Sequence, residues 1–120
     1  MRFFTTLLAT AVAISFAAIP ADAGFQRIKK YENFKLIIGK RLYDDAGNWM
    51  RLNVNGTLSG KVKTLGKVSG KWSLDHGSFC RTMKVGSTTD SDCLWVSIDG
   101  KRVRLVRGKG TGKSQVLHMK

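Results

Sequence analysis

The chain is poor in the residues that build most catalytic and metal centres. Its 120 residues include two histidines, two cysteines and eight carboxylates. His76 and His118 lack ligand spacing relative to each other or to Cys80 and Cys93, so no metal and no other cofactor is expected. Asp90 and Asp92 would offer calcium too few oxygens. Asp44-Asp45 and Asp90-Ser91-Asp92 fall in turn-like sequence, where they read as ion-pair partners for the many bases rather than a glycosidase pair. Asp75-His76-Gly77-Ser78 holds the residue types of a hydrolytic triad, but neighbours in one turn cannot align nucleophile, base and orienter. Turn chemistry explains those four residues, and no enzymatic activity is expected. The chain also lacks the roughly 20 consecutive apolar residues of a membrane-spanning helix. Its longest mostly apolar run, Leu7 to Ile19, stops at the single proline, Pro20.

That run carries a different meaning. Arg2 precedes it, and Ala21-Asp22-Ala23 follows it with a small–x–small pattern before Gly24. Residues 1–23 therefore read as a cleaved signal peptide, placing the protein in the periplasm or outside the cell. No cysteine lies near the cut, which argues against a lipid-anchored lipoprotein. Residues 24–120 are expected to form one domain, with no linker or low-complexity segment to divide them. A domain of this size buries only about 60–65% of its unfolded surface and benefits from a staple. In an oxidising compartment Cys80 and Cys93 are expected to supply one, a disulfide of about 3 kcal/mol in the chain-entropy model. The alternatives are two buried thiols or a bridge between molecules.

Charge is the other strong signal. Lys and Arg number 21 against eight acids, for a net +13. Such an excess repels itself and suits an anionic counterpart. For an exported protein the candidates are lipopolysaccharide phosphates, anionic phospholipid, acidic polysaccharide and stray nucleic acid. The plain alternative is a solvated, lysine-rich surface that keeps the protein soluble.

From residue 36 onward, short strand-like runs alternate with glycine-containing turns. Leu36–Leu42 is the first run. Trp49–Asn55 alternates Met50, Leu52 and Val54 with polar residues, the period of a half-buried strand. Asn55-Gly56 predicts a two-residue type I′ hairpin. Lys67–Leu74 sets Val68, Gly70, Trp72 and Leu74 on one face, so Trp72 is expected in the core. Thr57–Lys63, Ser78–Val85, Cys93–Ile98, Lys101–Arg107 and Ser114–Met119 complete the set. The fold class predicted is all-β, an antiparallel up-and-down meander of about eight strands closing into a small barrel. Phe25–Phe34, with Phe25, Ile28 and Tyr31 at helical spacing, is predicted as a short N-terminal helix over one barrel end.

If Cys80 and Cys93 face each other across a hairpin, its turn is Val85-Gly86-Ser87-Thr88, with Gly86 at the first central position of a type II′ turn. The same register sets Arg81 opposite Asp92 on the face of Phe79, Met83 and Leu94. An inward Arg81 needs a partner, and Asp92 is the expected one. The alternative role for Arg81 is a cation awaiting an anionic ligand inside the barrel. Trp49 and Trp95 are candidates for lining the barrel mouth. Gly108-Lys109-Gly110-Thr111-Gly112-Lys113-Ser114 imitates the end of a phosphate-binding P-loop, but Arg107 stands where its first glycine belongs and no helix follows. A weaker reading survives, in which Lys109 and Lys113 flank an anion-binding turn. Lys61, Lys63, Lys67, Lys71, Arg102 and Arg104 form a candidate basic wall; nucleic-acid binding would further require exposed aromatic residues beside it.

Taken together, Ile38-Gly39-Lys40-Arg41-Leu42, Asn55-Gly56-Thr57-Leu58-Ser59-Gly60, Ser69-Gly70-Lys71-Trp72, Phe79-Cys80-Arg81, Asp92-Cys93 and Gly108–Gly112 resemble a group of small secreted bacterial proteins of unknown function. In that group a G-x-W strand precedes a Cys-Arg…Cys hairpin. Some members carry the name dihydrodipicolinate reductase. That activity finds no support in a domain without a nucleotide-binding glycine fingerprint and too short for a two-part enzyme. The G-x-W strand and meander are also similar in architecture to lipocalin-like and streptavidin-like barrels, a likeness that transfers no ligand. The expected function is a non-enzymatic exported binding protein for an anionic ligand or membrane surface. The alternatives are an inhibitor or interaction protein of a secreted hydrolase, or a carrier of a small apolar ligand.

Overall fold

Period-two alternation in the sequence becomes an inside and an outside in three dimensions. The computed structural model describes residues 24–120, so the leader expected over 1–23 lies outside the described residues. The elements are β1 (Gln26–Ile28), α1 (Tyr31–Phe34), β2 (Arg41–Tyr43), β3 (Trp49–Leu52), β4 (Thr57–Val62), β5 (Gly66–Asp75), β6 (Ser78–Val85), β7 (Thr88–Asp99), β8 (Arg102–Val106), the short turn α2 (Arg107–Gly110) and β9 (Ser114–Met119). Strands β2 to β9 pair antiparallel in chain order, and β9 returns to β2 through Leu42↔Met119 and Tyr43↔His118. The predicted eight-stranded barrel is thus closed.

Three local expectations are corrected. Phe25–Phe34 is half strand: Gln26–Ile28 pairs with Val96–Ile98, and only Tyr31–Phe34 is helical. The cause lies in β7, which pairs with β6 only over Thr88–Leu94. Beyond Leu94 that edge of β7 is open, and β1 occupies it as a ninth strand. Leu36–Lys40 is likewise no strand. Its amides continue helical turns onto Phe34 and Ile37, and Gly39, at φ +83°, breaks them by donating its N–H to the Leu52 carbonyl. This segment drives Phe34 and Ile37 into one barrel end, where both are essentially inaccessible.

Asn55-Gly56 forms a three-residue loop instead of a type I′ turn. Only Gly56 takes positive φ, its N–H donates to the Asn53 carbonyl, and Asn53 N–H donates to the Thr57 carbonyl. Asn55 Oδ1 meanwhile accepts from Thr57 N–H and Oγ1 at 3.1 and 2.7 Å, which holds Asn55 at negative φ. The two-residue loop with both central φ values positive falls at His76-Gly77. At Gly86-Ser87 the glycine alone is positive, in keeping with the predicted type II′ turn.

Inward positions pack tightly at the end covered by α1. Leu42, Leu52, Leu58, Phe79, Val96 and Val103 are at most 2% exposed, and Trp72 lies in this core with its ring 6.2 Å from that of Phe79. Trp72 Nε1–H reaches the Asn53 carbonyl at 2.9 Å, so the buried indole leaves no donor unmet. Most outward positions carry Arg, Lys, Ser or Thr, unlike the apolar outer band of a membrane-spanning barrel. Two inward positions have no side chain. A Cβ on Gly60 would lie 2.3 Å from the Trp49 carbonyl oxygen, and one on Gly70 would lie 2.0 Å from that of Thr82. These glycines let β4 and β5 crowd their neighbours where the sheet bends. Cys80 and Cys93 form a disulfide directly across β6 and β7, and alternation places it on the outer face.

Gly70→Ala meets a backbone atom that cannot step aside and should destabilise the fold by about 1–3 kcal/mol in urea titration. Replacing both cysteines by serine opens a loop of 13-residue separation and should cost about 3 kcal/mol, a fall in Tm of roughly 10–20 °C by calorimetry.

Candidate functional site

The barrel end opposite α1 is built differently. The turns 44–48, 63–65 and 86–87 and the 107–113 loop rim it. Alternation from Phe79 brings Arg81 and Met83 inward on β6, and the register sets Asp92 opposite Arg81 and Asp90 opposite Met83. Continuing inward from Val103 and Leu105, Arg107 arrives at the same rim. Four charged side chains therefore meet just inside the mouth.

Their pairing departs from expectation. Arg81 stands opposite Asp92 in register, but its ion pair is with Asp90, Nη2 to Oδ2 at 3.2 Å. Arg107 holds both oxygens of Asp90 at 3.0 Å through Nη1 and Nη2, and reaches Asp92 Oδ2 through Nε at 3.0 Å. Asp92 also accepts the Cys93 and Gly108 amides at 2.8 and 3.3 Å. Arg81 has a long stem and reaches toward the rim, whereas the short Asp92 side chain is turned to α2 by those donors. Burial lowers the Arg81 pKa, with Asp90 opposing that shift. Arg107, hydrogen-bonded to Asp90, is raised, and Asp90 is held below the usual carboxylate range chiefly by the hydrogen bonds from Arg107. Asp44, on the rim, is also lowered: burial acts to raise it, but hydrogen bonds from Asn48, Ala46 and Gly47 outweigh that.

Above the packed core, the mouth opens on a cavity of about 420 Å³. Arg81, Arg107, Trp49 and Lys113 are part of its lining, together with apolar side chains from every barrel strand. Trp95 and Lys109 are not. Trp95 lies on the outer face with the Arg27 guanidinium 3.6 Å from its ring centre, and Gly110 packs so closely that a Cβ there would come within 2.4 Å of the ring. Lys109 sits in the left-handed part of α2 at φ 53°, beside Gly108 at φ 60°. The anion-binding reading of this turn is modified accordingly, because the Gly108 amide already faces the protein's own Asp92 carboxylate. Among the described residues, no three His, Cys, Asp or Glu side chains gather to hold a metal.

A second surface lies outside, over β2 to β5. Arg41 faces Arg51 across β2 and β3, and Lys61 faces Lys67 across β4 and β5. Lys71 follows four residues further along β5, on the same face. Among the outward positions from Arg41 to Ser73 on these strands there is no carboxylate. Trp49 belongs to this face: its ring lies 4.0 Å from the Arg41 guanidinium and 5.9 Å from that of Arg51. Tyr43 stands beside it in register, with Lys120 4.9 Å from its ring. Asp90, which the sequence marks only as an ion-pair partner for some base, and Arg107 join the candidates here. Both were accessible from the sequence, since they continue the inward parity of Met83 and of Val103 and Leu105.

Asp90 supplies a pH dependence with a definite sign. A carboxylate whose folded pKa is depressed stabilises the fold above its unfolded pKa and loses that contribution as pH falls through the folded value. Stability should drop below about pH 4, and Asp90→Asn should flatten that drop. At neutral pH the same substitution should cost about 1–3 kcal/mol by chemical denaturation, the lower part of the range reflecting the partial exposure of Asp90. Comparison of the chain with known protein families, with curated proteins and with solved structures finds no match.

Proposed function

We propose that this protein is a non-enzymatic, exported β-barrel that binds an anionic surface through the outer face of β2 to β5. One observation carries the reading: like charges stand directly opposite each other twice, Arg41 with Arg51 and Lys61 with Lys67. Such pairs destabilise a sheet, and neighbouring strands lie only about 4.8 Å apart. A soluble surface has no need of that arrangement, whereas a phosphate- or carboxylate-bearing partner converts the repulsion into attraction. The Trp49 ring between Arg41 and Arg51 offsets part of the internal cost through cation–π contact. Guanidinium groups match phosphate oxygens in pairs, and lysines add flexible point charges. The disulfide fits the oxidising compartment in which such surfaces are met.

Lipopolysaccharide, anionic phospholipid and acidic polysaccharide share the chemistry this face would recognise. The test is equilibrium binding of the processed protein to lipopolysaccharide, phosphatidylglycerol vesicles and heparin, each at low and high salt. Binding to at least one, weakening as salt rises, is expected. Each basic side chain contributes about 1 kcal/mol near an anionic surface, so Lys61→Gln with Lys67→Gln should weaken binding about thirtyfold. Absence of salt-sensitive binding to all three would overturn the reading.

A further inference from the structure

We propose that the open half of the barrel is a separate binding site for a small molecule with an apolar body and one anionic head, the head seated at Arg81. This goes beyond the outer-face reading and rests on different residues.

The barrel interior is divided. Near α1 the inward side chains are close-packed, as a folded core requires. Toward the mouth Met50, Val62, Met83 and Val85 also point inward, yet each keeps partial exposure. The cavity bordered by Met50, Val62 and Met83 is about 420 Å³, where about 150 Å³ already accommodates a benzene molecule. The space therefore suits two or three linked rings or a short, folded alkyl chain. Leu94, Leu105 and Leu117 also contribute to the lining. Apolar walls give such a body its binding energy, and the two methionines among them adapt to shape without strain. A barrel selected for stability alone would fill this volume, since each unfilled methyl-sized void costs about 1 kcal/mol.

Of the charged side chains in the cavity wall, Arg81, Arg107, Lys113 and Asp44, only Arg81 is buried. Its side chain is 6% exposed, and its guanidinium forms part of the wall. Nη2 is held by Asp90, but Nη1 is buried without a hydrogen-bond partner. An unmet donor on a buried cation is costly, and native structures leave few of them. Asp90 does not supply the missing acceptor: its Oδ2 already takes Arg107 Nη1 and Arg81 Nη2, and its Oδ1 takes Arg107 Nη2. An oxygen brought in by a ligand can. Lys113 on the cavity rim and the net +13 of the chain favour an anionic oxygen over a neutral one.

Two probes with the same apolar body test this: 1-anilinonaphthalene-8-sulfonate, which carries a sulfonate, and N-phenyl-1-naphthylamine, which carries none. Both are expected to bind the native protein saturably, one per chain, with a rise in fluorescence. Arg81→Met should weaken the sulfonate probe by about tenfold or more and leave the neutral probe within about twofold. Met83→Trp, which narrows the cavity while keeping Arg81, should weaken both. Lys61→Gln with Lys67→Gln should alter neither, so failure of the outer-face reading leaves this one standing, and the reverse. Absence of saturable binding, equal loss of both probes in Arg81→Met, or affinities unchanged by Met83→Trp would each overturn the proposal.

Discussion

The hydrogen bonds by which β9 returns to β2 turn a meander with two raw edges into a barrel with an inside and an outside. Every later feature depends on that closure. It assigns each alternate residue to a packed interior or a wet exterior, and it hides the strand edges that invite aggregation. Thirteen glycines and a disulfide make it feasible in so short a domain. Gly60 and Gly70 contribute through what they lack, since a single methyl group at either would strike the next strand's backbone.

Closure is not uniform around the barrel. β8 pairs with β7 only over Trp95–Asp99, so the other half of that seam has no ladder between the two strands. Arg107 bridges it, gripping Asp90 with one end of its guanidinium fork and Asp92 with Nε, while Asp92 in turn draws in the Gly108 amide. A charged clamp thus replaces backbone pairing at the place where the interior opens. The arrangement leaves Arg81 sharing a carboxylate that is already committed, and so leaves part of a buried cation unsatisfied. The mechanical solution at the seam and the chemical character of the cavity have the same origin.

Inside and outside consequently present different chemistries. The outer face over β2 to β5 gathers cations, with no carboxylate among its outward positions from Arg41 to Ser73, and its aromatic rings lie against those cations. The inner mouth sets Arg81 and Arg107 against Asp90 and Asp92, and the cavity below mixes apolar side chains with Asp44, Asn48, Lys113, Ser114 and Gln115. An extended anionic surface suits the first, and a compact amphipathic molecule suits the second.

Much of this was legible along the chain, and the boundary is instructive. Alternation in Lys67–Leu74 identified Trp72 as inward, and the spacing of Cys80 and Cys93 about Gly86 set the register that places Arg81 opposite Asp92 on the face of Phe79. Short-range rules sufficed there because neighbouring strands joined by tight turns have only one consistent pairing. The same rules misjudged Phe25–Phe34 and Leu36–Lys40, whose apolar residues serve to plug a barrel end and to extend an exposed edge of β7, needs that exist only once the barrel does.

What the sequence determined by itself was the parity of the strands, the sulfur bridge and the surplus of positive charge, all of them properties of adjacent residues or simple sums. Tertiary structure decided that Arg81 pairs with Asp90, that Trp95 lies outside against Arg27, and that one half of the interior stays hollow. Those outcomes depend on the reach of long side chains across strands that meet only on closure, and on the volume a closed circle of strands must enclose. Neither quantity is written in any local stretch of the chain.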